Sequence, residues 1–86
     1  MHPYKKGRQF EYVVKKKFEK RGYYVVRSAG SHGVFDLIAI KKGEVLGIQC
    51  KLGNVSKDEI EKMKEIGEKY GIIPVIATKG KVEVIK

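Results

Sequence analysis

The sequence lacks the features of disulfide-stabilised, membrane-spanning and disordered proteins. Cys50 is the only cysteine among 86 residues, which excludes an intrachain disulfide and a zinc site built from several cysteines. No apolar run approaches the length that spans a bilayer, and no signal-peptide pattern is present. Since the hydrophobic fraction is 42%, disorder is not expected either. We therefore expect a cytoplasmic protein that does not span a membrane.

Acidic residues are scarce relative to basic ones. Ten Asp and Glu stand against 19 Lys and Arg, a formal net charge of +9. Residues 1–51 carry 12 basic and 4 acidic side chains, whereas residues 52–86 carry 7 and 6. The positive charge is therefore concentrated in the first part of the chain. This excess favours a polyanionic partner, either nucleic acid or an acidic membrane surface.

The length predicts one small domain, residues 1–86. Its core is expected to be thin, and pairing with a second copy is a common way to add buried surface, so a homodimer is predicted. Helical periodicity covers residues 7–21, and a second helix is predicted from the capping box Ser56-Lys57-Asp58-Glu59 to about Tyr70. Strands are predicted at 23–27, 34–40, 45–51, 72–78 and 81–85. The order αβββαββ indicates an α+β sandwich with a mixed central sheet flanked by helices.

A tight hairpin joins the second and third predicted strands. With Lys42 and Gly43 as the central turn residues, Ile40 pairs with Val45, and the register extends along both strands. Because side chains alternate between the two faces of a strand, one face of this hairpin is wholly apolar. Its members are Phe35, Leu37, Ala39, Leu46, Ile48 and Cys50. The other face is apolar except at one end, so we expect both faces to be covered.

Three polar side chains converge at that end of the hairpin. The register places Asp36 opposite Gln49, with Cβ atoms about 5 Å apart, and Lys51 follows on the same face. One interpretation is a local ion pair between Asp36 and Lys51 at the sheet margin. The other is a metal site in which Asp36, the Gln49 side-chain oxygen and the Cys50 carbonyl bind Mg²⁺. Lys51 would then orient the attacking water and stabilise charge on a phosphate.

This arrangement resembles the core of the PD-(D/E)XK nucleases, in which an aspartate and a spacer precede (D/E)-x-K. Here Asp36 is followed by Gln49-Cys50-Lys51. The surrounding segments are similar to the archaeal Holliday junction resolvases over roughly residues 5–78. Those segments are Gly7-Arg8-Gln9-Phe10-Glu11, Arg27-Ser28-Ala29-Gly30-Ser31 and Phe35-Asp36-Leu37-Ile38-Ala39.

The resemblance implies a restriction-endonuclease-like core that hydrolyses DNA phosphodiesters with Mg²⁺ or Mn²⁺. Glu11 matches the acidic residue that completes the metal site of the family, and Ser31 matches a residue of its active-site loop. It further implies DNA, in particular four-way junctions, as substrate, a homodimer, no membrane partner and no small-molecule cofactor. The candidate DNA contacts are Lys5, Lys6, Arg8, Lys15, Arg27, Ser31 and His32. For the lysines of the first helix a solvated face, and for His32 an exposed loop, are the alternatives.

Two departures from the family pattern keep other functions open. Gln49 replaces a carboxylate, which lowers the negative charge of the site by one unit, although Ile48-Gln49-Cys50-Lys51 also looks much like Mrr-type restriction endonucleases. The chain also ends just after the last predicted strand, so we expect it to lack the tail that junction resolvases use in dimer and DNA contacts. The alternatives are a Mrr-type restriction or repair endonuclease and a non-catalytic DNA-binding protein on the nuclease fold.

Overall fold

The computed structural model describes residues 3–28 and 34–85, with only the backbone described for residues 3–6. The predicted order αβββαββ is confirmed. Helix α1 begins at Pro3, four residues earlier than predicted, since proline is well suited to the first position of a helix. The elements are α1 Pro3–Lys20, β1 Tyr24–Arg27, β2 Leu37–Lys41, β3 Glu44–Cys50, α2 Lys57–Tyr70, β4 Ile73–Thr78 and β5 Lys81–Val84.

The five strands form one mixed sheet in the order β1-β2-β3-β4-β5. Neighbouring strands are antiparallel except β3 and β4, which run parallel. A parallel pair needs a crossover connection, and α2 supplies it. The predicted mixed sheet is therefore confirmed, and β3 lies at its centre.

The two helices lie on opposite faces of the sheet. Val14 and Phe18 of α1 are buried against an apolar sheet face. That face consists of Val25, Leu37, Ala39, Leu46, Ile48, Val75 and Ala77, with Cys50 and Val82 partly buried beside them. On the other face, Met63 of α2 is fully buried. The helix starts at the predicted capping box, since the Ser56 hydroxyl accepts from the Glu59 N–H, and it ends on Gly71 at φ 72°.

Helix α2 approaches the sheet so closely that one position must be glycine. A Cβ on Gly67 would lie 2.5 Å from the carbonyl oxygen of Ile72 and 3.2 Å from the Pro74 ring. We therefore expect Gly67→Ala to lower the free energy of unfolding by about 1–3 kcal/mol, the usual effect of overpacking. Gly7→Ala in α1 meets nothing within 4 Å and should instead stabilise by up to about 1 kcal/mol. Urea unfolding of both variants measures this, and stabilisation by both would contradict the close approach.

The second face of the sheet is covered only in part. Helix α2 packs against β4, whereas Tyr24, Val26 and Ile40 on the β1–β2 half are 68%, 36% and 39% exposed. The expectation that both faces of the hairpin are covered is therefore wrong near its turn, where Ile40 is exposed. Neither helix in the described part of the chain is long and apolar enough to cross a membrane.

Candidate active site

The hairpin keeps its predicted register until it reaches Asp36. Ile40 pairs with Val45 and Leu37 with Ile48, as predicted. The Asp36 N–H also donates to the Ile48 carbonyl at 2.8 Å, while the Asp36 carbonyl accepts from Ser28 of the other neighbouring segment. In a regular strand, the N–H and the carbonyl of one residue point toward the same neighbouring strand. Those of Asp36 point toward opposite neighbours, so Asp36 sits in a β-bulge, where Asp36 and Leu37 both face Ile48.

The bulge corrects two predictions from the sequence. The ring of Phe35 lies against Gly47, and a Cβ there would be 2.7 Å from that ring. Gly47 pairs with Ile38, so this face of the sheet is opposite to that of Leu37. Phe35 therefore does not share the apolar face of Leu37, and Asp36 is not directly across from Gln49.

The Asp36 carboxylate is half-buried at the end of β3. Its Oδ2 accepts a hydrogen bond of 2.8 Å from the Cys50 N–H. Burial raises the pKa of Asp36 above its ordinary value, and the nearby negative charge of Glu11 raises it further. The Cys50 N–H, Lys51 and Arg27 lower this pKa, but they do not offset the effect of burial. The site thus holds a negative charge that its surroundings compensate only in part.

Glu11 of α1 lies on the same side of the sheet as Asp36. Its Oε1 accepts from Arg27 Nε at 3.0 Å, so two residues predicted for separate roles form an ion pair. Arg8, Lys15 and Arg27 line a small cleft together with Glu11. Lys15 also pairs with Glu19 at 3.0 Å. The cleft brings predicted DNA contacts beside the predicted acidic ligand.

Gln49 and Lys51 meet an acidic residue of α2 that the sequence interpretation placed outside the site. Gln49 Nε2 lies 3.4 Å and Lys51 Nζ 3.3 Å from Oε2 of Glu59. The Ser56 N–H, and to a lesser degree Lys51, lower the pKa of Glu59, which keeps this carboxyl ionised. Glu59 was predicted only as part of the capping box of α2. Nothing in the local pattern signals the second role, because the contact joins different elements of the fold.

Cys50 separates the two polar residues at the end of β3. Its side chain lies against the α1 core, and burial raises the pKa of its thiol to about 12. The thiol is therefore neutral at ordinary pH. The Cys50 carbonyl stays a predicted ligand.

The predicted site is gathered at one end of the sheet in two groups. Glu11, Asp36 and Arg27 form the group on the α1 side, and Gln49 and Lys51 form the group held by Glu59. Among the described residues, no three His, Cys, Asp or Glu side chains lie together as a metal-binding cluster. Ser31 and His32 lie outside the described residues, as do the side chains of Lys5 and Lys6.

Comparison with known proteins relates the chain to one nuclease family. The model of the archaeal Holliday junction resolvase family (Hjc) matches residues 2–86. Crossover junction endodeoxyribonuclease Hjc of Methanocaldococcus jannaschii is 46% identical over 83 residues, which cover 91% of this chain and 62% of that protein. The Holliday junction resolvase Hjc of Archaeoglobus fulgidus has a similar structure, with a TM-score of 0.71.

The structural match has 24% sequence identity and covers 85% of this chain and 63% of the solved chain. At this identity the match shows the fold, which agrees with the predicted αβββαββ core. The chain spans less than two thirds of the length of both relatives.

Proposed function

The chain belongs to the archaeal Holliday junction resolvase family, and on that premise we propose that it is a metal-dependent endodeoxyribonuclease acting on four-way DNA junctions. The observation that carries the proposal is the half-buried Asp36. Its carboxylate sits near Glu11 and Lys51, and burial raises its pKa. Ionised carboxylates are placed in such surroundings where a cation or substrate compensates them, and perturbed groups of this kind concentrate at functional sites.

The donor atoms at the site fit a hard divalent cation. Asp36 and Glu11 offer carboxylate oxygens, and Gln49 offers an amide oxygen, which are ligands that Mg²⁺ and Mn²⁺ accept. The nitrogen of Gln49 faces Glu59, so its oxygen is directed elsewhere. We propose that Asp36, Glu11, Gln49 and the Cys50 carbonyl hold Mg²⁺ or Mn²⁺. The bound ion would polarise the scissile phosphate and lower the pKa of an attacking water.

We propose separate roles for Asp36 and Lys51 in the reaction. Asp36 holds its position through the Cys50 N–H, and the bulge directs it toward Glu11. Lys51, whose positive charge lowers the pKa of Asp36, would orient the attacking water and stabilise charge that develops on the phosphate. Half-burial of this corner limits the access of bulk water, which strengthens these interactions.

Phosphate binding is assigned to the basic cleft and the N-terminal segment. Arg8 and Arg27 line the cleft beside Glu11, and we propose that they contact the DNA backbone. Lys5, Lys6, Lys15, Ser31 and His32 remain proposed contacts of the same kind. Binding through phosphates releases counterions, so the affinity should fall steeply as salt is raised.

We further propose that the protein acts as one domain and as a homodimer. Resolution of a four-way junction takes two symmetric nicks, and a two-fold dimer presents two equivalent sites. The exposed apolar residues Tyr24, Val26 and Ile40 offer a surface that a second copy could cover. The cytoplasmic location stays a prediction.

A DNA-binding protein without catalysis is the second candidate, and Gln49 is the observation that favours it. An amide leaves the site with one negative charge fewer than the carboxylate usual at this position. To separate the candidates, the protein is incubated with labelled four-way junction, duplex and single-stranded DNA, with Mg²⁺, Mn²⁺ or chelator. Metal-dependent junction cleavage that Asp36→Ala abolishes and Lys51→Ala strongly reduces supports the nuclease. Salt-sensitive binding without cleavage would reject it in favour of the binding protein.

Restoring a carboxylate at position 49 tests the assignment of Gln49 as a ligand. We expect Gln49→Glu to tighten Mn²⁺ binding by roughly 10- to 100-fold, since affinity rises with ligand charge. Calorimetric titration of the DNA-free protein measures the dissociation constant. Gln9→Glu in α1 adds the same charge away from this corner and serves as the matched control. Equal affinities of the wild-type protein and Gln49→Glu would show that Gln49 does not touch the ion.

A further inference from the structure

We propose that Glu59 is a positioning residue of the site: its carboxylate holds the amide nitrogen of Gln49 and so turns the amide oxygen toward the cation. The inference deepens the proposed function and rests on it for the presence of a cation. The hydrogen bond itself concerns the metal-free protein and can be tested separately.

The two carboxylate oxygens of Glu59 have different partners. Oε1 accepts from the Ser56 N–H at 3.3 Å and from the Ser56 hydroxyl at 3.1 Å. Oε2 faces Gln49 Nε2 at 3.4 Å and Lys51 Nζ at 3.3 Å. A capping box needs only the first set of contacts. The second set joins the first turn of α2 to the end of β3.

The first oxygen fixes the place of the second. Because the Glu59 N–H also donates to the Ser56 hydroxyl at 3.2 Å, the capping box closes on both sides. The Glu59 side chain is thereby held against the helix terminus instead of moving freely in solvent. Its Oε2 is therefore a fixed acceptor that faces the end of the central strand.

A fixed acceptor decides the orientation of an amide. An ionised carboxylate only accepts hydrogen bonds, so the group that Gln49 turns to Glu59 must be its NH₂. The carbonyl oxygen of the planar amide then points away from Glu59. A hydrogen bond to a charged acceptor favours this orientation over the flipped one by roughly ten-fold. Without Glu59, the amide could present its NH₂ to a cation, which repels it.

This need is specific to glutamine. A carboxylate at position 49 has two equivalent oxygens and presents a ligand atom in either orientation. Gln49 has a single oxygen, and the contact of its amide nitrogen with Glu59 turns that oxygen toward the cation. Glu59 of α2, in contact with Gln49, thus carries a negative charge close to the position that lacks one.

The contact with Lys51 serves position and not stability. The Lys51 and Glu59 side chains are 37% and 35% exposed, and a pair so exposed is screened by solvent and stabilises the fold little. What the pair does is restrict the ammonium of Lys51 to the corner occupied by Gln49. Glu59 therefore touches both members of the Gln-x-Lys pair.

The orientation can be observed in the metal-free chain by NMR. The sequence contains two glutamines and one asparagine, Gln9, Gln49 and Asn54, so a ¹⁵N–¹H spectrum shows only three pairs of side-chain amide signals. We expect Glu59→Gln to shift the Gln49 pair and to leave the Gln9 pair in place. Glutamine is accepted at this position of a capping box, so the helix start is retained. Ser56→Ala removes the hydroxyl but keeps the Ser56 N–H contact to Oε1, so it should lower Tm and shift the Gln49 signals less than Glu59→Gln does.

Metal affinity then separates orientation from simple charge. We expect Glu59→Gln to weaken Mn²⁺ binding, measured by calorimetry, by about 3- to 10-fold in the wild-type background. In the Gln49→Glu background, the same substitution should weaken it less than two-fold, because a carboxylate needs no orienting partner. Loss of a distant negative charge alone would weaken binding equally in both backgrounds.

Each outcome of these two measurements decides a different claim. Unmoved Gln49 signals in Glu59→Gln, or equal losses of Mn²⁺ affinity in the two backgrounds, would overturn the positioning role. A wild-type protein that binds no Mn²⁺ would instead overturn the proposed function. In that case the NMR comparison still decides whether Glu59 holds the amide.

Discussion

Replacing Lys51 with alanine is expected to lower the rate of junction cleavage by about 10²- to 10³-fold while leaving junction affinity within a few-fold. A loss of this size in cleavage rate is typical when one preorganised group that stabilises charge in the transition state is removed. Lys51 directly follows β3, and its charge is near enough to lower the pKa of Asp36, so its ammonium lies close to the proposed cation site. It is one of 19 basic residues, and its loss removes little of the general attraction to DNA.

Lys42→Ala is the matched control for this substitution. Lys42 is exposed in the turn at the other end of the hairpin, and its replacement removes the same charge. Single-turnover cleavage with protein in excess reports the chemical step, and fluorescence anisotropy in chelator reports binding. If both lysine variants lose cleavage and binding in equal proportion, Lys51 acts only through net charge and has no place in catalysis.

Replacing Asp36 with asparagine is expected to abolish cleavage and at the same time to stabilise the metal-free protein. Asparagine keeps an oxygen that can accept from the Cys50 N–H. It removes a carboxylate that burial and Glu11 make unfavourable in its charged form. Removal of such strained site residues commonly stabilises by about 0.5–2 kcal/mol. In a domain of this size each kcal/mol raises Tm by roughly 4–8 °C.

The pH dependence of this stabilisation follows from the raised pKa of Asp36. A carboxyl whose pKa is higher in the folded state favours folding while it is protonated, and that contribution is lost as pH rises through the folded-state pKa. The Tm of Asp36→Asn should therefore exceed that of the wild type near neutral pH. The difference should vanish below the ordinary pKa of aspartate, about 3.9.

Thermal unfolding in chelator across this pH range makes the measurement. Mg²⁺ should raise Tm of the wild type and not that of Asp36→Asn, because only the native wild type binds the ion. Asp58→Asn removes an exposed acid from the first turn of α2 and should stabilise at no pH, since acids there interact favourably with the helix dipole. A neutral-pH Tm of Asp36→Asn below that of the wild type would show that the Asp36 carboxylate is structurally favourable.

Much of the fold could be predicted because its signals are local. Alternation fixed the pairing of Ile40 with Val45, and the turn at Lys42 and Gly43 set the register. The capping box at Ser56 located the start of α2 within one residue. Each of these features depends on a few adjacent residues, so an isolated sequence carries them.

The bulge at Asp36 and the second role of Glu59 depend on distant partners. Phe35 leaves the regular alternation because Gly47 on the neighbouring strand leaves space for its ring. Glu59 reaches Gln49 only after the crossover brings the start of α2 beside the end of β3. The periodicity of the sequence indicates neither of these contacts. The sequence interpretation therefore placed Asp36 in a regular register that the bulge breaks, and it missed the contact between Glu59 and Gln49.

Mapping of nicks on a strand-labelled four-way junction tests the central claim most directly. The wild-type protein is incubated with junctions that carry the label on each of the four strands in turn, with Mg²⁺ or with chelator. A junction resolvase whose site includes Gln49 should introduce paired nicks at symmetric positions in two opposing strands, with Mg²⁺ only. Tight, salt-sensitive junction binding with all four strands intact in Mg²⁺ and in Mn²⁺ would contradict the claim.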